Sequence, residues 1–423
     1  MSASGDPEPS RLARRLDTGD AVVIGLGAMI GAGVFAAVGP AAQAAGAGLL
    51  IGLAVAAAVA YCNATSSAQL AAIYPESGGT YVYGRKRLGD FWGYLAGWGF
   101  VVGKLASCAA MALTFGAYAA PQATRPLAVA AVVGLTAVNY RGVQKTAGLT
   151  RIIVALVLAS LAAVVVAATA GGAAQPARLT EDLFAAGPRG ILEAAGLLFF
   201  AFAGYARIAT LGEEVADPAR AIPRAIPLAL GITLVVYALV AAAALAAAGA
   251  DALAEADAPL TAAVTAGTLG RLAPVVRVGA TIASLGVLLS LIVGISRTAF
   301  AMAGNGDLPR WFAAVHPRFK VPHRAELAVA ILVGAAAATV DLREAIGFSS
   351  FAVLTYYGIA NASAFTLSPS QRRWPRWLAA AGVGGCGLLA FNLPLQTVVA
   401  GVAVLAAGAV VWTVRQTRHH GRS

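Results

Sequence analysis

A chain of 423 residues that is 59% hydrophobic and 12% charged, with a mean hydropathy of +0.77, is not an ordinary soluble domain. Soluble domains carry about 25% charged residues. The net charge of +11 could suggest nucleic acid, but its distribution excludes that reading, and the isolated Cys62, Cys108 and Cys386 exclude a disulfide framework or a cysteine metal site.

Residues 1–19 are polar, contain Arg11, Arg14 and Arg15, and lack an apolar stretch, so no cleavable signal peptide is expected. Twelve apolar segments follow, centred near residues 30, 60, 105, 132, 162, 200, 237, 288, 332, 356, 383 and 404. Most have the ~20 residues a helix needs to cross the hydrocarbon, although those near 132 and 383 are short. The fold class predicted is an all-α polytopic membrane protein with about 12 transmembrane helices. With the N-terminus inside, 21 of the 30 Lys and Arg residues fall in cytoplasmic segments and 6 at the outer ends. That asymmetry obeys the positive-inside rule and places both termini in the cytoplasm, with the bilayer of the cell membrane as partner and no role for nucleic acid.

The first segment holds GLGAMIGAGVF, in which Gly25, Gly27, Gly31 and Gly33 interrupt an otherwise apolar helix. Glycine weakens a helix by about 1 kcal/mol relative to alanine. In hydrocarbon, freed backbone groups survive only where they face protein, a cavity or a ligand. The third segment carries Lys104 about 20 Å from its cytoplasmic end, too deep for the side chain to snorkel out. Lysine at a helix centre costs about 2.5 to 3.5 kcal/mol on insertion scales, which makes Lys104 a candidate coupling charge or protonatable switch.

The sixth segment and its sequel, Phe199–Pro227, contain Gly204, then Arg207, then Glu213 and Glu214. If spans 1–5 and 6–10 are repeats, the two interrupted segments correspond, and the odd number of spans inverts the second copy. That is the sequence pointer to an inverted-repeat transporter whose site lies between two broken helices. Arg207 is a second coupling candidate, close enough to the cytoplasmic end to snorkel or to pair with Glu213 or Glu214. Arg297 reads as an anchor of the cytoplasmic end of span eight. Ser284 and Ser290 in that span are the hydroxyls available to a sodium site, although isolated helical serines usually bond their own backbone. The chain then divides into a cytoplasmic tail (1–19), a transport core (20–367), helices 11 and 12 (368–415) and a second tail (416–423). Two longer external connections, 171–189 and 250–272, read as loops.

Four motifs in order carry a family resemblance: GLGAMIGAGVF, then YPESGGTYVYGRKRLGDFWGYLAGW (Tyr74–Trp98), then FFAFAGYARIATLGEEVADPARAIPRAI, then SRTAFAMAGNGDLPRWFAAVHPRFKVPHRA (Ser296–Ala325). Together they resemble the amino acid–polyamine–organocation superfamily, and within it the bacterial permeases related to cationic amino acid transporters. The resemblance implies a five-plus-five inverted repeat, of leucine-transporter type, with discontinuous helices 1 and 6. It places a substrate carboxylate on the main-chain N–H groups of Gly31, Ala32 and Gly33. It places the α-ammonium on carbonyls of Met29 and Ile30 in span one, and of Phe200, Ala201 and Ala203 beside Gly204 in span six. Phe200 matches the aromatic that caps the occupied site, and Glu213 and Glu214 match the inner end of the gate. Three departures stand out. Relatives coupled to protons carry a lysine in the fifth span, where this chain has Val157 in an uncharged stretch, Ile152–Thr169. Ala32 stands where many relatives have Ser or Thr, and Ala206 where they have an acid.

Secondary transport of an amino acid by alternating access is the function implied, with protons as a candidate partner and no metal or cofactor. Small or neutral substrates are preferred because spans one, three, six and eight hold no acidic side chain for a cationic one. An exchanger without ion coupling and a polyamine transporter are the alternatives within transport. A sensor that binds without moving solute is the alternative outside it. The four histidines lie in the cytoplasmic loop or tail and no catalytic pattern is present, so an enzyme is not expected.

Overall fold

The computed structural model describes residues 16–76, 78–142, 147–212 and 214–420. Among them the chain is helical and forms no strand, the one extended contact being a bridge between Leu16 and Val215. The first segment is two helices, α1 (Thr18–Met29) and α2 (Gly33–Ala45). α1 opens on a capping box in which the Asp20 N–H donates to Asp17 Oδ1 at 2.7 Å and the Asp17 N–H to Asp20 Oδ2 at 3.4 Å. At 12 and 13 residues these helices are each about 20 Å long or less, so neither crosses a ~30 Å hydrocarbon core alone.

A 3₁₀ turn, Gly46–Gly48, joins α2 to α3 (Leu49–Ile73), and the short α4 (Thr80–Leu88) leads into α5 (Asp90–Ala119). Then come α6 (Thr124–Tyr140), α7 (Ala147–Ala170), α8 (Gly187–Phe202), the four-residue α9 (Ala206–Ala209) and α10 (Pro218–Ala248). α10 begins at the Asp217 cap with proline in its first turn, where the missing N–H costs nothing. The connection 250–272, which reads as a loop in the sequence, instead contains α11 (Ala250–Glu255) and α12 (Pro259–Thr265). Leu253 and Leu260 bury them against α2, where Gly39 leaves room for Pro259. The remaining helices are α13 (Ala273–Gly304), α14 (His323–Thr339), α15 (Leu342–Phe365), α16 (Arg376–Phe391) and α17 (Leu395–His420).

Among the described residues, seven helical segments are long and apolar enough to cross a membrane, including Asp90–Ala119, Pro218–Ala248 and Gly270–Gly304. The chain is thus a multi-pass membrane protein. α5 lies at the centre, against α13, α15, α4 and α6. Around it the pieces of the two interrupted segments pair: α2 lies along α8, and α1 touches α9 and the turn before it. The core is built largely of alanine, which lets helices approach closely where no hydrophobic force between them is available.

Candidate functional site

Residues Ile30–Ala32 leave the helix between α1 and α2 and are buried. Ala32 is the N-cap of α2 and offers no side-chain cap, so the first-turn N–H groups there lack the partner that Ser or Thr would supply. The sixth segment is less open than its sequence suggests. α8 narrows into a 3₁₀ turn, Ala203–Tyr205, in which the Ala203 N–H bonds the Phe200 carbonyl, and α9 ends at Thr210.

The two interruptions touch through main chain. A Cβ on Gly33 would lie 2.7 Å from Ala201 Cα, and one on Gly204 only 2.3 Å from the Ala28 carbonyl oxygen. A Cβ on Gly31 would meet a side chain instead, Val287, at 2.2 Å. Two tyrosines that sequence reading missed close the site. Tyr237 of α10 donates its hydroxyl to the Met29 carbonyl and stands 3.1 Å from that of Ala201. Tyr357 of α15 donates to the Ala203 carbonyl at 3.0 Å and stacks on Tyr205, ring centroids 4.9 Å apart. In this conformation the carbonyls of Met29, Ala201 and Ala203 therefore all face hydroxyls. Tyr237→Phe removes the one hydroxyl donor that faces two of them. A loss of about 1 to 3 kcal/mol is expected, the cost of an unmet buried acceptor, read as a lower apparent melting temperature in detergent.

Phe200 is buried beside this turn. Lys104 is 9% exposed and makes no ion pair or hydrogen bond with another described residue. One turn on, Ser107 Oγ bonds Ser349 Oγ at 2.6 Å, which ties this part of α5 to α15. Val157 is buried. Ser284 and Ser290 donate to their own helix, to Ala280 at 2.7 Å and Gly286 at 3.0 Å. Arg207 is exposed and reaches Thr210 at 3.3 Å; it forms no ion pair with Glu214, and Glu213 lies outside the described residues. Glu214 meets the segment before α1 through main chain: its carbonyl accepts the Leu16 N–H at 3.1 Å, and the Ala216 N–H donates to the Leu16 carbonyl at 3.0 Å.

The second and fourth sequence motifs meet at one knot. Tyr81 donates to Asp307 Oδ2 at 2.6 Å and accepts from Arg85 at 2.7 Å and Asn305 at 2.8 Å. Burial and the Asp307 carboxylate push the Tyr81 hydroxyl up to about 12, so it stays a proton donor. The start of α4 is fixed from the other side by Tyr356, whose hydroxyl accepts the Thr80 N–H at 3.0 Å. Gly79 permits this: it has φ +55°, and a Cβ there would lie 2.6 Å from that hydroxyl.

Comparison with known proteins gives the family. The amino acid permease family model matches residues 16–414. The chain is 66% identical over 408 residues to an uncharacterized transporter of Mycobacterium tuberculosis, covering 96% of this chain and 92% of that protein. It is 26% identical over 440 residues to a branched-chain amino acid permease of Bacillus subtilis, covering 96% and 94%. It is 28% identical over 386 residues to cationic amino acid transporter 7 of Arabidopsis thaliana, covering 84% and 66%. With a match over nearly its whole length and paired helix interruptions at its centre, the chain belongs to the amino acid permease family of the amino acid–polyamine–organocation superfamily.

Proposed function

We propose that the chain moves a small or neutral amino acid across the cell membrane by alternating access, as a secondary transporter of twelve spans in a five-plus-five inverted repeat. The observation that carries this reading is the main-chain contact between two interrupted helices, α1/α2 and α8/α9, at a buried and uncapped helix start. A helix N-terminus carries roughly half a positive charge, which suits a carboxylate on the N–H groups of Gly31, Ala32 and Gly33. The ammonium would then take the carbonyls of Met29 and Ala201 from Tyr237. The acids of the first, third and sixth segments, Asp20, Asp90 and Glu193, are each paired with an arginine (Arg151, Arg85 and Arg343), and the eighth, α13, has none, which favours a neutral side chain. The relative named as a branched-chain amino acid permease supports the same class. Lys104 is the coupling residue of this reading, standing in for the charge that the fifth segment lacks.

A second reading, exchange without ion coupling, is favoured by the stretch of α7 after Arg151, which is uncharged and has Val157 buried in it. Uptake of radiolabelled amino acids into proteoliposomes decides between them. Stimulation by an inward proton gradient is the expected result. Stimulation by internal amino acid alone supports the exchanger, and binding without uptake overturns transport in favour of sensing.

A further inference from the structure

The end of the molecule assigned to the cytoplasm contains a cavity of about 300 Å³ that the transport reading does not use. It lies between the start of α5, the turn after α13 and the last turns of α17, and is lined by Arg85, Tyr94, Asp307, Arg310, Trp412 and Arg415. Arg85 is already matched, to Asp90 at 3.0 Å and Asp307 at 3.3 Å. Asp307 also accepts from Tyr81, so its charge is taken up. Arg310 and Arg415 are not matched. Arg415 donates to the main-chain carbonyl of Gly306 at 3.1 Å, and neither arginine has an ion pair with a described residue. Two of the lining residues also carry buried donors with no hydrogen-bond partner among the described residues: the hydroxyl of Tyr94 and the indole N–H of Trp412. Two unmatched guanidinium groups and two unmet donors call for an acceptor-rich anion.

We propose that this cavity binds a phosphate group, carried by the headgroup of an anionic phospholipid. Guanidinium forks match phosphate oxygens in paired hydrogen bonds. The surroundings favour a lipid over a free anion. Phe91 stacks edge-on to Trp412 at 5.2 Å and to Trp92 at 5.4 Å, and Trp92 is exposed. Such aromatic groups sit at headgroup level in membranes.

The test uses the full-length protein, delipidated in neutral detergent, with its apparent melting temperature read after adding phosphatidylglycerol, phosphatidylcholine or inorganic phosphate. Phosphatidylglycerol is expected to raise it by several degrees and the other two to leave it unchanged. R310Q/R415Q is expected to lose most of that increment and R310K/R415K to keep at least half, while Arg271→Gln, remote from the cavity, keeps it all. If the double variant does not fold, Trp412→Phe, which keeps both charges, is expected to show a reduced increment. An equal shift with phosphatidylcholine, or a full increment in R310Q/R415Q or in Trp412→Phe, overturns the site. An equal shift with inorganic phosphate overturns the lipid and leaves a free anion as occupant.

Discussion

Gly204→Ala is expected to reduce uptake to below about a tenth of wild type while leaving helix content unchanged. Intrinsic propensity points the other way, since alanine favours helix over glycine by about 1 kcal/mol. Packing decides the outcome. The added methyl would lie 2.3 Å from the Ala28 carbonyl oxygen, 2.4 Å from its carbon and 2.6 Å from the Met29 nitrogen. All three are main-chain atoms and cannot rotate aside. Overfilling a packed interior costs typically about 1 to 3 kcal/mol, and about 1.4 kcal/mol on the rate-limiting rearrangement is tenfold in rate. Gly33→Ala, against Ala201 Cα at 2.7 Å, is expected to behave alike. Gly31→Ala is expected to be milder, because Val287 can change rotamer. Uptake assays beside circular dichroism check the series. Wild-type uptake by Gly204→Ala would show that the close contact has no part in transport.

Lys104→Met is expected to abolish stimulation by a proton gradient while amino acid counterflow persists. The same variant is expected to be more heat-stable than wild type. A buried ammonium without a carboxylate or hydrogen-bond partner is costly, of the order of 2 to 3 kcal/mol at the centre of a membrane helix. Methionine keeps the length of the side chain and removes that cost. The two readouts separate two roles. Undiminished proton stimulation would reject Lys104 as the coupling group, and a lower melting temperature would reveal a stabilising partner for the ammonium.

How far the sequence foretold this molecule differs from site to site, for physical reasons. The interruption in the first segment was legible because four glycines in eleven residues have few uses in an apolar helix, and the helix does stop at Met29. Gly204 marked the second, but a single glycine does not say whether a helix opens or tightens, and here it tightens into a 3₁₀ turn. Tyr237 and Tyr357 were invisible. A tyrosine in an apolar run reads as core or interface, and only the fold brings Tyr237 to a carbonyl 208 residues away. Asp307 was hidden likewise, its partner Tyr81 lying 226 residues earlier. The short helices over 250–265 were missed because six or seven residues carry too little periodicity to register. Counting spans by length alone also misleads here. α1 and α2 fall short of the span length because they are halves of one segment, while α2 and α3 run together as Gly33–Ile73, 41 residues, through a tight turn.

The hydroxyl of Tyr237 has a single proton, yet it stands before two carbonyls, those of Met29 and Ala201. Each carbonyl oxygen carries two lone pairs, so without cargo this spot is starved of hydrogen. In the site proposed above, an incoming –NH₃⁺ would bring three, enough to serve both oxygens and hand the phenol a bond as well. Loading then swaps one polar lid for a better one without stripping any oxygen bare. Unloading is correspondingly gentle, because the phenol is waiting to resume its post. On the proposed function, a pocket arranged in this way would release its passenger as readily as it takes one aboard, which is what a carrier needs and a storage site does not.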